Sequence, residues 1–350
     1  MCKSRPFKNK KISLDEYSEL NFGIGPRTQL EKHGIPVLQN LPVGQKLYDH
    51  LTFVGLTYTL NESIVAQQED LTKLKTITDY LSEGGGPLSG FGGVEVFTYI
   101  KTTESKEKKK KYPDIELIFI GGNMGTDLGL IHRRTFRITD EIYDAVWKPL
   151  ENKPAIMILP MLLHPKSFGY VELQSKSPFD YPKLHGNFFT DAEGHDIKTF
   201  VAAIREAQRI ARSPSMQRYD AKLHSVPIPG CGHFRFDSDE YWECAVRHTS
   251  PTLHHQVSTC KMGPNHDPEA VVDSKLRVYG VKNLRVADCS VIPMPLSAHT
   301  NTPSIMIGEK ASDLIKDEWL NKVDGRKIDI RYAQTRISDY PDLDQNSNEL

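Results

Sequence analysis

Two histidines, His255 and His299, are placed where a side chain could move a proton. Imidazole has an unperturbed pKa near neutrality, so it can accept a proton from a hydroxyl and return it at ordinary pH. His255 stands in the loop-like run Leu253-His254-His255-Gln256-Val257-Ser258-Thr259-Cys260-Lys261-Met262-Gly263-Pro264. His299 stands in Ser297-Ala298-His299-Thr300-Asn301-Thr302-Pro303, ahead of the apolar run Ile305-Met306-Ile307. That pattern reads as a helix start, whose unpaired backbone N–H groups attract an anionic ligand atom. A short strand is expected between the two. The chain has 13 histidines, so chance placement is easy and spacing alone does not decide between a catalytic and a structural histidine.

Other chemistries fit less well. Cys231-Gly232-His233 with Cys244 hints at a metal, but four ligands at zinc spacings are absent, so no metal site is expected. No G-x-S-x-G elbow supports a hydrolase. Gly23-Ile24-Gly25-Pro26 fails as a dinucleotide fingerprint because Thr28 stands where the third glycine belongs. The glycines of Gly84 to Gly93 precede a strand and fit a close backbone approach or a mobile loop. A net charge of −1 gives no case for nucleic acid or an anionic membrane surface. No run of eighteen apolar residues suggests a membrane span. The basic N-terminus lacks an apolar h-region, so a secretory signal is not expected. Five cysteines form a sparse, odd set. Cys231 and Cys244 could pair in an oxidising compartment, but free thiols are expected here.

The elements that must position the histidines follow from periodicity. Pro26 to Gly34 reads as a short helix and Ile35 to Leu38 as a brief strand. Residues 51–60, Val94 to Ile100, Ile115 to Ile120, Ala155 to Leu163 and Gly169 to Gln174 read as strands, and Leu71 to Tyr80 and Ile142 to Trp147 as helices. Asp191 to Arg212 is the clearest helix, with Asp191 as its cap candidate. Residues 237–248 form another, capped by Asp237 or Ser238. The charge run Glu104 to Lys111 reads as a solvated loop. Strands that follow one another with few long helices between them predict an α+β chain with a mainly antiparallel sheet flanked by helices.

The run from His255 to Pro264, Val271-Val272-Asp273, Leu276 to Val281, Leu284 to Asp288 and Ala298 to Ala311 together resemble the C-terminal signature of the glucose–methanol–choline (GMC) oxidoreductases, particularly the insect glucose-dehydrogenase-like branch. Gly23 to Pro26, Pro42 to His50, Gly169 to Leu173 and Ser177 to Asp180 resemble other parts of that family, so the likeness spans roughly residues 22–317. It implies FAD as cofactor, an alcohol or sugar as substrate, and hydride transfer from a CH–OH carbon. It implies His255 as the base, with His254 the weaker candidate, and His299 as a second site residue that binds the hydroxyl or supports the base. It places Asp288 near the ribityl–phosphate region and the backbone of Thr300 and Asn301 near the flavin's pyrimidine edge, although Asp288 reads equally well as a cap or turn residue. Asp49-His50 also matches and is assigned to packing. The branch often has cysteines where Cys231 and Cys244 stand, which favours packing or pairing over a metal.

The expected organisation is a disordered leader (1–21), a remnant of the incomplete FAD-binding, Rossmann-like domain (22–50) and a substrate-binding domain (51–264, with the family's C-terminal region from about 165). A segment returning to the FAD domain with a catalytic histidine (265–317) and a flexible tail (318–350) follow. The G-x-G-x-x-G turn of the family's FAD domain is not found in the sequence. Weak or lost FAD binding is therefore expected of this chain alone, with partly uncovered apolar faces that predict poor solubility or a protein partner over them. The competing expectation is a truncated, non-catalytic binding or partner protein.

Overall fold

A computed structural model describes residue 20 and residues 23–64, 68–90, 93–106 and 112–320. The expected leader, apart from Leu20, lies outside the described residues, as do residues 107–111 of the charge run and residues 321–350 of the expected tail.

Seven strands occur among the described residues: β1 (Thr57–Thr59), β2 (Val94–Ile100), β3 (Ile115–Ile120), β4 (Ala155–Leu162), β5 (Tyr170–Glu172), β6 (Lys183–His185) and β7 (Lys222–Leu223). Five make one antiparallel sheet in the order β2-β3-β4-β1-β7, and β5 pairs with β6 in a small second sheet. Every residue of β4 is buried, which is why its sequence is apolar throughout instead of alternating. At the edge, β2 leaves Val96, Phe97 and Tyr99 exposed.

The helices include α1 (Arg27–Lys32), α2 (Leu74–Glu83), α3 (Asp140–Val146), α4 (His195–Ala211), α5 (Asp239–Thr249) and α6 (Asn301–Trp319). Helix α4 buries Ile197, Phe200, Val201, Ile204, Ala207 and Ala211, a stripe at helical spacing that packs onto the sheet. Ser238 caps α5 by accepting the Tyr241 N–H. The main core joins the sheet to α3, α4 and α5. A second apolar cluster joins Leu20, Ile24, Leu30 and Val43 to Leu173 and to residues between Val257 and Ala311. None of the described helices is long and apolar enough to cross a membrane. The α+β class and the antiparallel sheet are as the sequence predicts.

Several expectations need correction. Ile35 to Leu38 is not a strand: the Ile35 N–H returns to Leu30, Pro36 has no N–H, and Leu38 bonds to Gly23. The strand over residues 51–60 shrinks to β1, because residues 52–54 spread their N–H groups over Pro251, Pro160 and Thr249. The short strand expected between His255 and His299 does not occur among the described residues, where Arg285 forms only a single bridge with Arg277. Helix α4 starts at His195, with Gly194 in a left-handed turn (φ 62°), while Asp191 reaches in to accept the His195 N–H at 2.5 Å. Cys231 and Cys244 are joined in a disulfide, which overturns the free-thiol reading.

Candidate active site

The segment around Asp49-His50 runs antiparallel to the one carrying His255. Tyr48 pairs with Val257 and Leu51 with Thr252, so three steps on one side face five on the other. The surplus forms a bulge in which His254 takes φ 63° and stays exposed while the next residue, His255, turns inward and is buried. Asp49 holds the bulge. Its carboxylate accepts the His255 backbone N–H at 2.8 Å, the Gln256 side-chain N–H at 2.7 Å and the Thr252 hydroxyl. Burial pushes the Asp49 carboxyl up to about 6 despite these donors.

Three histidine rings meet beside it. His50 Nδ1 lies 3.0 Å from His255 Nδ1, and His50 Nε2 lies 3.0 Å from the Leu163 carbonyl. The rings of His255 and His299 meet edge to face, centroids 4.8 Å apart and planes at 79°. Burial lowers His50 to about 4; burial and then the neighbouring imidazoles lower His255 to about 3, so both are neutral at pH 7. His299 Nε2 contacts Glu116 Oε1 at 2.9 Å. Glu116 projects from β3 with no exposed surface, and its Oε2 is buried without a hydrogen-bond partner among the described residues. Phe97 of β2 also lies against His299 (5.4 Å between centroids).

A cavity of about 460 Å³, lined by Tyr48, Tyr112, Asp114, Leu162, His164 and Met294 among others, adjoins this group without including His255 or His299. His164 connects the two, stacked on Tyr112 at 4.8 Å and bonded to Ser297, two residues before His299, at 2.9 Å.

The structure thus brings His255 and His299 together. Sequence reasoning missed two residues that touch them. His50 was assigned to packing, and it contacts the His255 ring. Glu116 carried a usable signal, since a carboxylate inside Ile115-Glu116-Leu117-Ile118-Phe119-Ile120 must find a partner if the strand is buried.

Asp288 caps the 3-10 turn Cys289–Val291 by accepting the Ser290 N–H at 2.6 Å. Its other oxygen, Oδ2, and the Ser290 hydroxyl are buried without partners among the described residues. Thr300 is buried at the N-cap of α6 with no side-chain cap bond, and Asn301 is exposed as the first helical residue. The Cys289 thiol reaches the Thr300 carbonyl at 3.6 Å, and the 288–292 turn bonds to the His255 segment through Cys260–Ser290 and Met262–Val291. These groups fit a polyhydroxylated cofactor chain at Asp288 and Ser290, and an electron-rich ring edge at the start of α6.

Residues 165–308 match the family model described as GMC oxidoreductase. That region belongs to the GMC oxidoreductases. The chain is 34% identical over 316 residues to the FAD- and quinone-named glucose dehydrogenase of Drosophila pseudoobscura pseudoobscura, covering 90% of this chain and 47% of the relative. It is 29% identical over 338 residues to an acceptor-named alcohol dehydrogenase of Pseudomonas putida, covering 92% and 52%. In fold it is similar to a single-site variant of Aspergillus oryzae formate oxidase, with a TM-score of 0.70 at 23% identity over 87% of this chain and 53% of that one. The chain therefore spans about half the length of the curated GMC relatives it matches.

Proposed function

We propose that this chain serves in FAD-dependent oxidation of a CH–OH donor, an alcohol or a sugar, with His255 as the base and His299 as its partner. The observation that carries this reading is the edge-to-face approach of the two rings, 4.8 Å between centroids, inside a chain of GMC sequence.

FAD, when bound, would supply the hydride acceptor. The protein's own residues do the rest. His255, kept neutral by burial, takes the hydroxyl proton. His299, held by Glu116, faces the same hydroxyl and steadies it. The orphaned Asp288 Oδ2 and Ser290 hydroxyl would receive the ribityl chain, and the backbone of Thr300 and Asn301, at the start of α6, would face the ring's pyrimidine edge.

The test is the visible spectrum and turnover of the purified chain supplied with FAD, an alcohol and an artificial electron acceptor. Bound flavin with alcohol-dependent reduction of the acceptor is the expected result. A folded protein that stays colourless and inactive would overturn it in favour of a non-catalytic binding role.

A further inference from the structure

A neutral imidazole carries one N–H and one lone pair. A backbone carbonyl can only accept, so the contact with Leu163 requires the proton of His50 to sit on Nε2. Nδ1 of His50 then holds the lone pair. The 3.0 Å contact between the two Nδ1 atoms needs one proton between them, and only His255 can provide it. His255 is therefore protonated on Nδ1, and its Nε2 holds the lone pair.

From this chain of contacts we propose that His50 is a positioning residue: it fixes His255 in the Nδ1-protonated tautomer and so makes Nε2 the base. The catalytic part of this statement rests on the function proposed above, while the tautomer rests on the two contacts of His50 and on the burial that keeps both rings neutral. The low proton affinity of both buried rings supports it, because a charged ring would donate from both nitrogens and erase the direction of the relay. Asp49 and His50 divide the work of holding one residue. The first grips the backbone N–H of His255 and the second grips its ring. A second-layer partner that sets the tautomer of a functional histidine is a general device of buried imidazoles.

The experiment is nitrogen NMR of the full chain labelled with 15N-histidine, with His255→Gln and His50→Asn used for assignment. In the unsubstituted chain, His255 should show a pyrrole-type Nδ1 and a pyridine-type Nε2, and His50 the reverse. His50→Asn places a carbonyl oxygen near the position of Nδ1 and should keep the His255 tautomer. His50→Phe removes the acceptor and should shift His255 toward the Nε2-protonated form. In the FAD-supplied chain, kcat should then fall by about a hundredfold or more with KM little changed. A pyrrole-type Nε2 on His255 in the unsubstituted chain would overturn the proposal, as would an unchanged tautomer in His50→Phe. If His50→Phe does not fold, the unsubstituted chain and His50→Asn decide the matter. The expected tautomer in a chain that oxidises no alcohol would leave His50 its positioning role and remove the proposed function instead.

Discussion

Glu116 and His299, 183 residues apart, meet at 2.9 Å between a fully buried carboxylate and an imidazole at the mouth of a helix. The contact ties β3 to the start of α6 and aims the His299 ring at His255. A buried carboxylate contributes orientation at a cost in desolvation, so its effects on stability and on function should separate.

Glu116→Leu should leave the thermal midpoint unchanged or raised while slowing alcohol oxidation by tenfold or more, as estimated from the value of a positioned group. Glu116→Gln keeps an acceptor oxygen and should lose much less activity. Thermal melts and turnover of both variants check this; parallel losses of stability and rate would show that Glu116 is structural.

The site should also shape the response of stability to acid. The unfolded chain takes up protons at His50 and His255 near their ordinary 6.5, whereas the folded chain binds them only near 4 and 3. Their contribution is complete above about pH 6.5 and is lost as the pH falls toward 4 and 3. Asp49 acts in the opposite sense, because its folded value of about 6 exceeds the ordinary 3.8 and the folded form gains protons first. Two histidines against one carboxylate predict a lower denaturant midpoint at about pH 4.5 than at about pH 7. Asp49→Asn should steepen that loss and His50→Phe should flatten it. A midpoint that rises on acidification would contradict the assignment of buried neutral rings.

Cys231 and Cys244 close a loop with a sequence separation of 13. Chain-entropy reasoning gives such a crosslink about 3 kcal/mol of stability. Cys244→Ser, or reduction of the native chain, should lower the unfolding free energy by about that amount, read from denaturant curves. A change below about 1 kcal/mol would mean that the bond is not formed in solution or that the reduced chain retains the loop.

His254 occupies a left-handed backbone position, φ 63°, in the bulge that turns His255 inward. His254→Gly should be neutral or stabilising by up to about 1 kcal/mol, and His254→Val should be destabilising by about that much or more. Neither should lower turnover to the extent predicted for His255→Ala. A His254→Gly chain with the defect of His255→Ala would move the base assignment to the neighbouring ring.

Much of this architecture can be read from residue patterns. The apolar runs of β3 and β4 and the helical stripe of α4 announce themselves, because their periodicity reports burial directly. His255 and His299 stand out through the loop and helix start that carry them. The company they keep is harder to see. His50 lies 205 residues from His255, and their contact depends on a bulge whose register no local propensity records. Residues 52–54 look like a strand and are not, because neighbours on two sides compete for their N–H groups. The Cys231–Cys244 bond was underestimated because sparse cysteines carry no connectivity of their own.

The most direct measurement is the rate at which an excess of alcohol bleaches FAD supplied to the chain under anaerobic conditions, compared between the unsubstituted protein and His255→Ala. Loss of the base should slow the reaction by about a hundred- to ten-thousand-fold, with His299→Ala in between. Equal rates in all three proteins would show that neither imidazole handles the proton.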